Sequence, residues 1–224
     1  MNKSHLVGAA CAVLFTFTTL SAKAALVGIF PATPGGTDYQ AVYDDVAVLT
    51  WLANANAGAG SAYDDGNPTA PSTTDGLMSW TNANSWAASL NINGVTGWRL
   101  PSTDTTCPIG PNCTTSEMGN LFYNVLGGTA GSPIGTTHNS NYAMFSNVQD
   151  FAYWSSTPVT APSPNAWFFN FVNGNQNNAP KTNVNYAWAV YSGDARLVVP
   201  VPAAVWLFGS GLLGLAAVGR KRRR

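Results

Sequence analysis

Gly97-Trp98-Arg99-Leu100-Pro101-Ser102 sets one arginine between a tryptophan and a leucine, in a chain of 224 residues of which only 9% are charged. A guanidinium among large apolar groups needs a carboxylate or carbonyl partner if it is buried, because an unpaired buried charge is costly. Glu117 and Asp104 are the candidate partners, and either would make Arg99 a structural residue. The competing reading is an exposed arginine that binds anions.

Downstream of this block, Thr114 and Glu117 have the spacing of a capping box, and Met118, Leu121, Phe122, Val125 and Leu126 follow helical periodicity until Gly127-Gly128 stops them. Upstream, Ser79 can cap a helix whose buried face is Ala83, Trp86, Ala87 and Leu90, ended by Asn93-Gly94. Residues 47–52 alternate but are apolar on both faces, which predicts a buried strand. Aromatic and β-branched segments at 152–157, 166–172 and 186–191, bounded by Pro, Asn and Gly, predict further strands of an antiparallel sheet. Asn173-Gly174 marks a turn, and the polar stretch from there to Asn185 is too long for a minimal hairpin. The expected class is α+β, with two helices and an antiparallel sheet.

The two ends read differently from this body. Residues 1–24 begin with Lys3, continue through an apolar run from Leu6 to Leu20, and leave through Ala22-Lys23-Ala24, the pattern of a secretory signal peptide cleaved between Ala24 and Ala25. Residues 198–219 are apolar and are followed by Arg220, Lys221, Arg222, Arg223 and Arg224. About twenty residues match the roughly 30 Å hydrocarbon core of a bilayer, and the basic cluster should stay cytoplasmic. Residues 25–197 then form one extracellular domain, with a transmembrane helix and basic tail at 198–224.

Formal neutrality hides an uneven charge distribution, because seven of the ten basic residues lie in the two ends. Residues 25–197 keep Arg99, Lys181 and Arg196 against all ten acids, a net charge of −7. That balance disfavours nucleic acid as a partner, since phosphate neutralisation needs clustered Lys and Arg. Aromatics, at 12% of the chain, supply the apolar area for a sizeable core.

Cysteine and histidine counts narrow the chemistry. Cys11 belongs to the expected leader, so only Cys107 and Cys113 remain, and an oxidising compartment favours a local disulfide between them. The alternative, a redox or nucleophilic thiol pair, lacks a basic or helix-terminal setting that would lower a thiol pKa. His138 is the single histidine of the body, so neither a multi-histidine zinc site nor a nucleophile-elbow hydrolase can be assembled. No enzyme, catalytic residue or metal site is expected. Calcium is the one cofactor left open, through Asp44, Asp45, Asp64, Asp65, Asp75 and Asp150, although their spacing matches no EF-hand loop and Asp64-Asp65-Gly66-Asn67 reads more simply as a turn.

Several blocks in order resemble the Lcl C-terminal domain family, an exported family of unknown function whose namesake is a bacterial collagen-like adhesin. They are Tyr43-Asp44-Asp45 with Leu49-Thr50-Trp51-Leu52, Gly97 to Ser102, Ser116-Glu117-Met118 with Leu121-Phe122-Tyr123-Asn124, and Phe145-Ser146-Asn147-Val148-Gln149. Tyr153-Trp154-Ser155-Ser156-Thr157, Asn165 to Phe171 with Asn173-Gly174-Asn175-Gln176, and Tyr186 to Val190 complete the series. Tyr191 departs from the arginine that this family often places there. Arg99-Leu100-Pro101 is also similar to an element of formylglycine-generating sulfatase-modifying proteins, which implies a C-type-lectin-like architecture and carries no catalytic cysteine to any position here. At the far end, Val199-Pro200-Val201-Pro202-Ala203, the apolar run and the basic cluster resemble the VPLPA variant of PEP-CTERM sorting signals, with Val201 where the best-known version has Glu. That resemblance implies a Gram-negative exported protein, held in the inner membrane by its C-terminal helix until an exosortase-type enzyme sorts it to the cell surface or the extracellular matrix.

The family resemblance implies adhesion, and its namesake's family is associated with sulfated glycans, but a body near −7 should repel polyanions. A neutral or cationic polysaccharide fits better. Sugar recognition uses flat aromatic faces and planar amides, which makes Trp167, Asn173, Asn175, Gln176, Asn177 and Trp188 the candidate contacts. The competing readings are core packing for both tryptophans and self-satisfied turn amides for the rest. The expected function is non-catalytic polysaccharide binding or adhesion at the cell surface or in a biofilm matrix. The alternatives are a structural matrix component without a specific ligand and a protein related to formylglycine-generating enzymes.

Overall fold

The computed structural model describes residues 24–66 and 74–198. Most of the expected leader, the sorting residues Val199, Pro200, Val201, Pro202 and Ala203, and all of the expected span beyond Val198 lie outside the described residues. Among the described residues no helix is long and apolar enough to cross a membrane.

Among the described residues there are nine strands and two α-helices in an α+β arrangement. Strands β1 (Leu26–Pro31), β2 (Tyr39–Asp44) and β3 (Leu49–Leu52) make an antiparallel meander that β9 (Val190–Ser192) extends, giving the order β1-β2-β3-β9. A second sheet has the order β4-β8-β5-β6-β7, built from β4 (Leu77–Ser79), β5 (Ala152–Pro158), β6 (Asn165–Asn170), β7 (Asn175–Pro180) and β8 (Val184–Tyr186). The strand pairs are antiparallel as expected except for one: β5 and β8 pair in parallel, through Tyr153 and Tyr186.

Helix α1 (Trp80–Ser89) starts where expected, after Ser79, but the Ser79 hydroxyl does not cap it. Asp65 acts there instead, its Oδ2 accepting the Ser79 N–H at 2.7 Å and its Oδ1 accepting from the Asn82 amide at 2.6 Å. A carboxylate at that end complements the helix dipole. Buried Ala83, Trp86 and Ala87 form the inner face, packed against β4, β5 and β8.

The second expected helix is only partly α-helical. Helix α2 (Glu117–Asn120) begins after Ser116, not Thr114, and continues as a π-helical turn over Leu121–Val125. The capping box does not form because Glu117 turns to Arg99, a stronger partner than a backbone N–H of the preceding turn. Gly119 is required by packing, since a Cβ there would stand 1.8 Å from the Cys113 carbonyl oxygen.

The segment 186–191, read as one strand, is split. Ala187-Trp188-Ala189 leaves the five-stranded sheet after β8 and enters the four-stranded sheet at β9. It is fixed at the crossing by the Trp188 Nε1 donating to the Leu52 carbonyl at 2.8 Å and by the Leu52 N–H donating to Ala189 at 3.0 Å. Around this crossing lies an aromatic core, in which Trp188 is edge-on to Trp51 at 5.6 Å and to Phe145 at 5.3 Å and touches Tyr153 and Phe171. The polar stretch after the Asn173-Gly174 turn, to which no strand was assigned, contains two: 175–180 pairs fully with β6, and 184–186 is β8.

Candidate functional site

Arg99 is joined to Glu117 by a bidentate ion pair, Nη1 to Oε2 and Nη2 to Oε1, both at 2.7 Å. The guanidinium also donates to the Leu100 carbonyl and to the Ser192 hydroxyl, while the Ser102 N–H donates to Glu117 Oε2 at 2.7 Å. With all of these contacts internal, the arrangement ties the Arg-Leu-Pro segment to α2 and β9. Glu117 is therefore the partner, and Asp104 has a different task.

Asp104 organises the loop that Cys107 and Cys113 close by a disulfide. Its carboxylate accepts from the Thr106 hydroxyl, the Thr115 hydroxyl and the Thr106 N–H, and these hydrogen bonds, with the Thr106 hydroxyl foremost, hold its pKa below the ordinary carboxylate value. The loop docks on β7, where Gly110 and Gln176 exchange two backbone hydrogen bonds of 2.9 Å. Gln176 is buried, its Oε1 accepting from Ser116 and its Nε2 donating to the Asp104 carbonyl at 3.0 Å.

The six residues expected to contact sugar are thus separated. Trp188, fully buried, and Gln176 present no surface to a ligand, and both are structural in this fold. Asn173 sits in the turn before β7, its Oδ1 accepting the Asn175 N–H at 3.0 Å. Trp167 is half-buried and shares its face of the β6–β7 pair with Asn178, which accepts from the Asn165 amide at 2.8 Å.

Asn175 and Asn177 lie on the other face, because side chains alternate along a strand. There Asn175 is opposite Asn170 and Asn177 is opposite Phe168, all four half-buried. Among the described residues, the Asn175 side chain has no hydrogen-bond partner, Asn177 uses only its Oδ1, for the Asn178 N–H, and Asn170 only its Oδ1, for the Val172 N–H. Three amides with uncommitted N–H donors therefore lie around one half-buried ring, which packs edge-on against Trp154 at 6.3 Å. Phe168 and Asn170 were not among the expected contacts. Pairing 165–170 with 175–180 by period-two alternation would have found them, but a run of Asn reads as loop because Asn is depleted in strands.

Of the aspartates considered for calcium, Asp64 accepts from the N–H groups of Gly60, Gly66 and Gly76, Asp44 from Val46 and Ala47, Asp75 from Leu77, and Asp150 from Gly135. Asp45 accepts from Ala25, and Asp65 holds the start of α1. Among the described residues no three His, Cys, Asp or Glu side chains converge as a cation cluster. His138 is exposed and stacks on Tyr142 at 4.1 Å.

Two open depressions lie on the surface of the described residues. One of about 630 Å³ lies between Thr37–Tyr39 and 143–146, and one of about 290 Å³ between the β2–β3 turn and Thr114, Thr115 and Glu117. Neither collects a set of convergent titratable groups. No curated protein and no solved structure matches the chain. The profile of the Lcl C-terminal domain matches residues 40–191, a span that runs from β2 to β9 and includes the Arg99–Glu117 pair, the disulfide loop and the amide face, so the chain belongs to the Lcl C-terminal domain family.

Proposed function

We propose that this is an exported cell-surface or biofilm-matrix protein that binds a neutral polysaccharide without catalysis, through the outward face of β6 and β7. The observation that carries this reading is the group of amides at Asn170, Asn175 and Asn177, with free N–H donors around the half-buried Phe168 ring. Amide donors suit hydroxyl and ether oxygens, and an apolar ring suits the C–H face of a sugar. The net charge of −7 on 25–197 supports a neutral rather than a sulfated ligand. Export rests on the leader-like residues 1–24, and sorting by an exosortase-type enzyme rests on the PEP-CTERM-like pattern from Val199 to Ala203 and the basic end. A C-type-lectin-like relationship is part of the same reading, supported by the Arg99-Leu100-Pro101 block.

Both body cysteines are joined to each other, which supports a binding role over one that needs a free thiol. The test is a glycan array with the mature chain, followed by the Asn175→Ala/Asn177→Ala double variant. Saturable binding to neutral glycans that falls at least ~10-fold in the variant is expected, the equivalent of about 1.4 kcal/mol. Unchanged binding would move the ligand elsewhere, and no binding to any glycan would favour a structural matrix component.

A further inference from the structure

We propose that the end of the four-stranded sheet bearing the β2–β3 turn is a docking surface for a lipid bilayer. This rests on the reading of residues 198–219 as a membrane span, and adds which part of the domain meets the membrane. Leu26, Asp44, Leu49 and Ser192 are register partners in one row across β1, β2, β3 and β9. Three strand spacings of about 4.8 Å place the first and last strands of that row roughly 15 Å apart. The chain enters this end just before Leu26 and leaves it just after Ser192. The first and last described strands of this sheet therefore open toward the same end, and a span after Val198 would hold that end toward the bilayer after the leader has been removed.

That end is also where exposed apolar side chains gather. Val46 and Val48 are each 52% exposed, Leu197 80% and Val198 38%, whereas the other exposed large hydrophobics among the described residues, Ile109 and Phe151, lie in the disulfide loop and ahead of β5. Val48 has φ +55°, held by the Gly193 N–H donating to its carbonyl at 2.9 Å. A β-branched residue is a poor choice for the left-handed region, where Gly or Asn is favoured, so an exposed valine there points to a use for its side chain. Fold stability does not explain it.

Charge at this end is compensated at Asp194 alone, while the buried Asp44 keeps one carboxylate oxygen without a hydrogen-bond partner. Asp194 is paired with Arg196 at 2.7 Å, and Arg196 also covers the Tyr43 ring at 5.5 Å. Asp45 Oδ1 accepts the Ala25 N–H at 2.8 Å, and cleavage between Ala24 and Ala25 would convert that N–H to an ammonium facing the same carboxylate. Asp44 is buried beneath its own turn. Among the described residues this end carries no cluster of free cations to attract anionic polymers, which fits the interface of a zwitterionic bilayer.

The test uses the full chain in a Cys11→Ser background, with the native disulfide intact and one added cysteine carrying an environment-sensitive dye. Val46→Cys reports the proposed surface, and Ala32→Cys reports the opposite end of the β1–β2 hairpin. On reconstitution into phosphatidylcholine vesicles, the dye at 46 should shift to the blue and lose access to iodide, while the dye at 32 stays unchanged. If the chain enters the vesicles and the dye at 46 remains as quenchable as at 32, the docking surface is wrong although the span is right. Failure of the chain to enter vesicles at all removes the span reading and the proposal with it. Shielding that rises with protein concentration in the absence of lipid would assign the surface to a second copy of the chain and overturn the proposal.

Discussion

Neighbouring amides on β7 meet opposite fates. Gln176 points into the domain, where both ends of its side-chain amide are bonded, to Ser116 and to the Asp104 carbonyl. Asn175 and Asn177, one step away on either side, point outward and keep N–H donors free beside Phe168. The inward face of the pair is continuous with the aromatic core, since Phe169 packs against Phe122 and Phe171 and lies opposite Gln176. One functional group, the carboxamide, therefore does two jobs in one polar run, and the pleat decides which. Burial demands complete hydrogen bonding, whereas a surface amide can wait for a ligand.

The sharpest way to break the inward side is Trp188→Ala. It should lower stability by about 3–5 kcal/mol, read by chemical denaturation, because it empties the crossing between the two sheets. Glu117→Gln should cost about 2 kcal/mol by the same measurement, since Arg99 loses a charged bidentate partner while a third of its side chain remains solvated. Gln176→Ala should cost about 1.5 kcal/mol and loosen the disulfide loop, seen as faster amide exchange at Gly110. Val48→Gly should raise stability by about 1 kcal/mol, because it relieves a left-handed backbone without removing any buried contact. Smallest of all, Asn175→Ala/Asn177→Ala should change stability by less than about 0.5 kcal/mol while altering ligand capture. Equal thermodynamic costs for Gln176 and Asn177 would erase the distinction between the two faces.

Legibility in the sequence followed the strength of local periodicity. The start of α1 at Ser79, strand β5, most of β6 and the pairing of Cys107 with Cys113 were each marked by a short-range signal. Helix α2 was foreseen in place but not in form, because a long-range ion pair to Arg99 replaced the local cap at Glu117. Strand β7 was missed because Asn-Gln-Asn-Asn has low strand propensity, and pairing along the whole of β6 overrides it. The split after Tyr186 was missed for a related reason: Ala187-Trp188-Ala189 is apolar throughout, so nothing local says that it changes sheets.

By itself the sequence pointed to the α+β class, the family, the disulfide and two candidate carboxylate partners for Arg99, since each depends on residue type and near spacing. Only the tertiary structure chose Glu117 over Asp104, buried Gln176 and Trp188, and gathered Phe168, Asn170, Asn175 and Asn177 on one face. Those outcomes depend on strand register and on which face of a sheet meets the core, and a displacement of one residue in pairing would have reversed every one of the outward assignments.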